Sequence, residues 1–221
     1  MIRTHSTDLI QRITLDRPER RNALTPEGLD QLLQAINETE EPVIYLSGAG
    51  SAFCAGADLG VVEELDDGRR FAERGQRTAR AISDTESVVV AGIDGPARGG
   101  GLELALACDV RVATPDATFG EPGVTLGLFG AWGGTVRLPH IVGQGEAMDL
   151  VLSSRAIDAE EALRIGLVSR IVSDPVEVAR EIAENDRRAL SVTKERLRDE
   201  SPRNKQEAAE AVAFAELIDR R

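Results

Sequence analysis

An α/β fold is predicted by three features of the 221-residue sequence. Short apolar runs alternate with segments of helical periodicity along most of the chain. One of those runs, SVVVAGIDG, has no polar alternation, as a strand covered on both faces requires. Two glycine-rich turns, SAFCAGADL and DGPARGGGLE, each follow such a strand.

The elements follow in order. LIQRITL alternates as a strand does, and IRTHS is its hairpin partner across Thr7-Asp8. RPERRNAL is a basic loop. TPEGLDQLLQAINETEE is a helix with Thr25 as N-cap and Pro26 at its first position, and Leu29, Leu32, Leu33 and Ile36 form one apolar face. PVIYLSG is a short buried strand followed by the first glycine-rich turn. RRFAERGQRTARAISD is a second amphipathic helix with Phe71, Thr78, Ala79 and Ile82 inward. After SVVVAGIDG and the second turn, the apolar LELALA continues as a helix. VRVATPDATFGEPGV supplies two short extended pieces around a turn, and LGLFGAWGGTVRLPHIVG is glycine-rich and apolar without an assigned element. DAEEALRIG is a helix with an Asp158 cap and a Glu161 capping box. LVSRIV is a short strand, and DPVEVAREIAEN is a helix starting at Asp174-Pro175. The sequence divides into a core over 1–186 and a charged helical region over 187–221, too thin to bury much by itself.

Composition narrows the functional classes. The formal net charge is −12, which disfavours nucleic acid or an anionic membrane as main partner. An anionic ligand must then meet a local basic cluster or a helix N-terminus. Aromatics are 3% of the chain, so the core is built from Ala, Val, Leu and Ile. Cys54 and Cys108 lack metal-type spacing and read as reduced thiols. No apolar stretch long enough to span a membrane and no signal-peptide core is present, so a cytoplasmic location is expected.

The stretch GPARGGGLELALACDV, residues 95–110, places one ionisable group, Glu103, in an otherwise apolar helix start. The turn matches neither a P-loop nor a dinucleotide fingerprint. No G-x-S-x-G occurs, and the two histidines, His5 and His140, leave little for a triad or a histidine metal site. There remains a helix N-terminus with free N–H groups at Gly100 and a carboxylate one turn further on. Such a pair suits oxyanion stabilisation with proton transfer nearby. An acidic residue favouring the helix dipole accounts for Glu103 equally well when this segment is taken alone. The second glycine-rich loop, able to offer another backbone N–H, favours the chemical role.

Taken together, ITLDRPERRNALTPEGLDQL, LSGAGSAFCAGADL, GPARGGGLELALACDVRVATPDATFGEPGVTLG and GGTVRLPHIVGQGEAMDLVLSSRAIDAEEALRIGLVSRIV resemble the enoyl-CoA hydratase/isomerase (crotonase) family, over about residues 9–172. The resemblance implies a crotonase-like spiral of ββα units, a C-terminal helical trimerisation region, and a homotrimer or dimer of trimers. It implies an acyl-CoA substrate and no separate cofactor. By position, the backbone N–H groups of Ala57 and Gly100 would form the oxyanion hole, where losing one donor costs about 3–4 kcal/mol of barrier. Ala57, Asp58, Leu59 and Gly60 would border the thiol end of CoA. Arg21, Asn22 and Ala23 would line its pantetheine and adenine portions, with Arg17, Arg20 and Arg21 opposing the phosphates.

Glu103 falls on the first of the family's two catalytic glutamates. The second falls on Gly123, because the stretch here is FGEPGV. Glu121, two residues earlier, points to the same side in an extended segment and is the candidate replacement. The family's IPGAGGT is FGAWGGT here, so Gly130 replaces a proline and Trp132 enters a wall of small residues, narrowing the acyl pocket or filling core. The family's last helix is expected to be absent, which affects the adenine contacts. Three functions follow: hydration of a 2-enoyl-CoA, double-bond isomerisation by one carboxylate, or non-catalytic acyl-CoA binding.

Overall fold

Strand β1 (Ile2–Ser6) pairs antiparallel with β2 (Ile10–Leu15). A parallel array then extends through β3 (Val43–Gly48), β4 (Val88–Ile93), β6 (Val110–Ala113) and β9 (Arg170–Ile171), in the order β1-β2-β3-β4-β6-β9. A second sheet has the order β5-β7-β8, from β5 (Pro96–Arg98), β7 (Thr118–Gly120) and β8 (Ile157–Asp158). The computed structural model describes residues 1–7 and 9–219; Asp8, at the expected hairpin tip, lies outside them.

The large sheet is covered on both faces, which explains the unbroken apolar run in β4. Val88 and Val90 join Ile10, Val43 and Val112 against Val178, Ala179 and Ala183 of α8 (Val176–Ala183). Val89, Ala91 and Ile93 face the main core with Ile13, Leu15, Ile44 and Leu46. That core is closed by α1 (Pro26–Asn37), α3 (Gly68–Asp84) and α4 (Gly100–Ala107). The period of two along each strand thus feeds two cores.

The expected caps form. Thr25 accepts from the Gly28 N–H at 3.2 Å, and Asp158 from the Glu161 N–H at 2.9 Å at the start of α7 (Ala159–Arg164). Only half of the expected capping box forms, because the Glu161 carboxylate is drawn instead to Arg155, 2.9 Å away. The inward residues of α3 are Phe71, Thr78, Ala79 and Ile82, as the periodicity predicts, together with Gly75 and Ser83. Leu33 is only half-buried. Three α-helices arise where the pattern assigns none, α2 (Leu59–Glu63), α5 (Gly134–Val142) and α6 (Gln144–Ser153), and Pro122–Leu126, expected to be extended, forms a 3-10 helix, so alternation along a strand does not relate positions 121 and 123. In the C-terminal region, α9 (Arg187–Leu197) packs on β4, whereas α10 (Arg203–Ile218) contacts chiefly α9 and has no buried residue.

Helix α4 is buried from end to end. Cations pin its C-terminus, where the macrodipole is negative. Arg111 Nη1 donates to Cys108 O at 2.8 Å and Arg198 Nη2 to Ala107 O at 3.0 Å. Asp109 then binds Lys194 Nζ at 2.9 Å and accepts from the Val89 N–H at 2.7 Å. Lys194 is buried and also donates to Ser87 O, so α9 is tied to the sheet through one charged group. Asp109→Ala strands that ammonium in the interior. The expected loss is about 3–5 kcal/mol of stability, measured by chemical denaturation.

Candidate active site

The site lies where the two sheets meet. In the loop after β3, Cys54 bridges Ala97 of β5, and Ala57 bridges Leu24. These two bridges carry the 54–57 turn alongside the β5–α4 junction. Gly56 has φ +91°, and a Cβ there would lie 2.7 Å from Arg98 O and 2.9 Å from Gly100 N, so only glycine allows the two turns to abut. Ala57 and Gly100 flank this contact, one on each turn. Neither N–H has a hydrogen-bond acceptor among the described residues. Two separate segments therefore present donors, as an oxyanion-binding arrangement requires.

Glu103 stands one turn into α4 and is 1% exposed. Its Oε1 accepts from the backbone N–H of Trp132 at 2.8 Å and of Gly134 at 2.6 Å. Glu103 thereby caps the N-terminus of α5, whose own cap residue, Gly133, has no side chain to offer. Burial raises its pKa above the ordinary carboxylate value, while the Gly134 and Trp132 N–H bonds and the charge of Arg137 work against that rise. A Cβ on Gly130 or Gly134 would sit within 2.8 Å of this side chain, so both positions must be bare.

Glu121 arrives from the other sheet. β5 and β7 run parallel, and the Gly99 N–H donates to Gly120 O at 3.0 Å. The chain leaving β7 is therefore placed beside the start of α4. Glu121 is 4% exposed, and its Oε1 is buried without a hydrogen-bond partner among the described residues. Burial pushes its pKa up to about 8, with the charge of Glu103 adding to the rise. The two carboxylates thus sense one another across the seam. At Gly123, by contrast, a Cβ would lie 2.8 Å from Phe129 Cα and 3.2 Å from Leu128 O. Backbone occupies the space that a side chain at this position would need.

The remaining candidates divide between the fold and the surface. Asn22 is buried at φ +58°, and its Nδ2 donates to Ala49 O at 2.9 Å and Ala52 O at 2.7 Å while its Oδ1 accepts from the Arg17 N–H. Its side chain is consumed in holding the loop. Arg17 is likewise bound to Asp58, at 2.6 Å. Asp58 also caps α2 through the Gly60 N–H, at 3.1 Å, and Arg17 holds its pKa down. Ala23 is buried and Ala57 half-buried, whereas Arg20, Arg21, Leu59 and Gly60 are exposed. Trp132 is 3% exposed and packs within the core. The N–H groups that hold Glu103 come from a segment without helical signal; the glycine pair Gly133-Gly134 was its only trace in the sequence.

This fold belongs to a known class. The sequence profile of the enoyl-CoA hydratase/isomerase family matches residues 6–220, and the chain is a member of that family. Among its relatives, the short-chain-enoyl-CoA hydratase of Clostridium acetobutylicum is 40% identical over 180 residues, covering 77% of this chain and 69% of that protein. The crotonyl-CoA hydratase of Syntrophomonas wolfei is 39% identical over 184 residues, covering 80% and 70% respectively. The crystal structure of an enoyl-CoA hydratase from Bacillus anthracis superposes with a TM-score of 0.92 at 33% identity, over 99% of this chain and 91% of that one. The fold is therefore the crotonase fold.

The elevated pKa of Glu121 has a consequence for stability. The folded chain keeps this proton up to about pH 8, while the unfolded chain loses it near 4.5. Between those values the folded state binds more protons, so stability falls as pH rises, by up to about 1.4 kcal/mol per pH unit. Glu121→Gln removes this contribution. Denaturation at pH 5 and pH 8.5 is expected to show the variant gaining on wild type at the higher pH; equal pH slopes would contradict the burial of a protonated carboxyl.

Proposed function

We propose that this protein hydrates a 2-enoyl-CoA. The observation that carries the proposal is the convergence of two buried carboxylates, Glu103 and Glu121, on a seam that also offers the unpaired N–H groups of Ala57 and Gly100. In this reading the two N–H groups hold the thioester oxygen as it gains enolate charge. Glu103 takes a proton from water as the water oxygen adds to Cβ, neutral Glu121 gives its proton to Cα, and the proton gained by Glu103 then passes to Glu121, restoring the pair for the next turnover. The net change is the addition of one water. Glu121 thus stands in for the glutamate missing at Gly123, where the backbone of Leu128 and Phe129 supports the substitution by closing that position to a side chain.

Ala57, Asp58, Leu59, Gly60 and Gly100 would border the thioester and Trp132 the acyl group. Asn22 and Ala23 shape the wall beside the pantetheine, and the exposed Arg20 and Arg21 are free to face phosphate. Proton transfer of this kind needs no cofactor beyond the CoA of the substrate, and we assign the enzyme to the cytoplasm. The region 187–221 is read as a trimerisation element, in a homotrimer or dimer of trimers. Phe214 and Ile218, four residues apart on one face of α10, are exposed, an apolar pair that suits a subunit contact.

A second reading, double-bond isomerisation, is favoured by Gly123 itself, since one base can remove and return the same proton. Assays with crotonyl-CoA and a 3-enoyl-CoA separate the two, following the ultraviolet absorbance of the conjugated thioester. Hydration removes absorbance from the first; isomerisation creates it from the second. Glu103→Gln is expected to lower either rate by about 10²–10⁴. Glu121→Gln is expected to lower hydration by a similar factor, and full retention of hydration would overturn its role. The wild-type kcat/KM for hydration should fall above about pH 8, as Glu121 loses the proton it donates.

A further inference from the structure

The indole of Trp132 occupies the gap between α3 and the first turn of α4. A methyl group on Gly75, in the middle of α3, would overlap its pyrrole ring, and one on Gly100 would overlap its six-membered ring. Glycine is a poor residue for a helix interior, and Gly75 has an ordinary helical backbone. Its place there is explained by the room the indole takes. Phe71 completes the fit with an edge-on contact, ring centroids 5.7 Å apart at 74°. The Trp132 backbone is held as firmly: its N–H donates to Glu103, its carbonyl accepts from Arg137 Nη1 at 3.3 Å, and Gln76 Nε2 binds the neighbouring Ala131 O at 2.9 Å. Beyond the indole lies an open groove of about 980 Å³, which Trp132 lines together with apolar Leu106, Val136 and Leu197 and with charged residues that include Arg137 and Arg198. One edge of the ring therefore touches the residue whose N–H serves the thioester, and the same ring borders an open space.

We propose that Trp132 is the end wall of the acyl site and restricts the substrate to short acyl chains, the groove behind it being the volume that a longer chain would need. The proposal rests on the acyl-CoA reading above. Trp132 acts on specificity, not on the chemical step, and Gly75 is its steric counterpart in α3.

Affinities of butyryl-, hexanoyl- and octanoyl-CoA, measured by calorimetry, test the wall without requiring turnover. Trp132→Ala frees the volume of the whole indole. Each methylene that then finds an apolar contact adds about fourfold in affinity. The octanoyl-to-butyryl affinity ratio is expected to rise about tenfold or more over wild type, with the kcat/KM ratio for 2-octenoyl-CoA over crotonyl-CoA moving the same way. Trp132→Phe, which keeps most of the packing, is expected to shift both ratios less. Adding Gly75→Leu to Trp132→Ala refills the gap and should bring the ratios back toward wild type, an effect that loss of packing alone would not produce. Ratios unchanged in both folded variants would overturn the wall while leaving the acyl-CoA reading in place. A wild-type protein that binds acyl-CoA of no length would overturn both.

Discussion

The structure turns on the burial of one carboxylate. Glu103 sits at 1% exposure in a helix whose other residues are Gly, Leu and Ala, where an unsatisfied charge would be prohibitive. The Trp132 and Gly134 N–H groups meet that demand, and the Gly134 N–H is one of the orphan donors at the start of α5. One contact therefore solves two problems, the desolvated carboxylate and the uncapped helix. It also fixes neighbouring choices: Gly130 and Gly134 are bare because a Cβ would collide with the carboxyl group, and Trp132 is anchored with its indole turned toward α3.

Helix α4 connects this site to the rest of the molecule. At its C-terminus, Arg111, Arg198 and the Lys194–Asp109 pair satisfy the last carbonyls and tie α9 to the sheet. At its N-terminus the Gly100 N–H has no acceptor among the described residues. A rigid element with one end saturated and the other free gives backbone N–H groups that need no reorganisation when an anion arrives. The adjoining 54–57 turn is held by two bridges and the contact at Gly56, while Arg17 and Asn22 spend their hydrogen bonds on the same loop. Polar residues near the site thus serve its geometry, and their cost in binding capacity is offset by rigidity.

Much of this was legible in the sequence. The two-sided burial of β4, the Thr25 and Asp158 caps and the inward face of α3 follow from local pattern, because each depends on residues only a few positions apart, two along a strand and three or four along a helix. Family membership was legible in several ordered motifs. The roles of Arg17 and Asn22 were not: a basic, polar loop reads as a ligand surface, and only the fold shows that Asp58 and three loop carbonyls claim those side chains. The capping of α5 was hidden for a similar reason, since its acceptor lies 31 residues upstream of Gly134.

The sequence by itself determined that a carboxylate stands at 103, that none stands at 123, and that Glu121 lies two residues before the gap. Those are facts of identity and spacing. That the charge of Glu103 bears on Glu121 was decided only by tertiary structure. The pairing of β5 with β7 lays the end of one strand beside the start of α4, and the 128–129 backbone closes the alternative position. Local periodicity sets which way a side chain leaves its own strand; the sheet pairing and the loop packed against it set what that side chain meets.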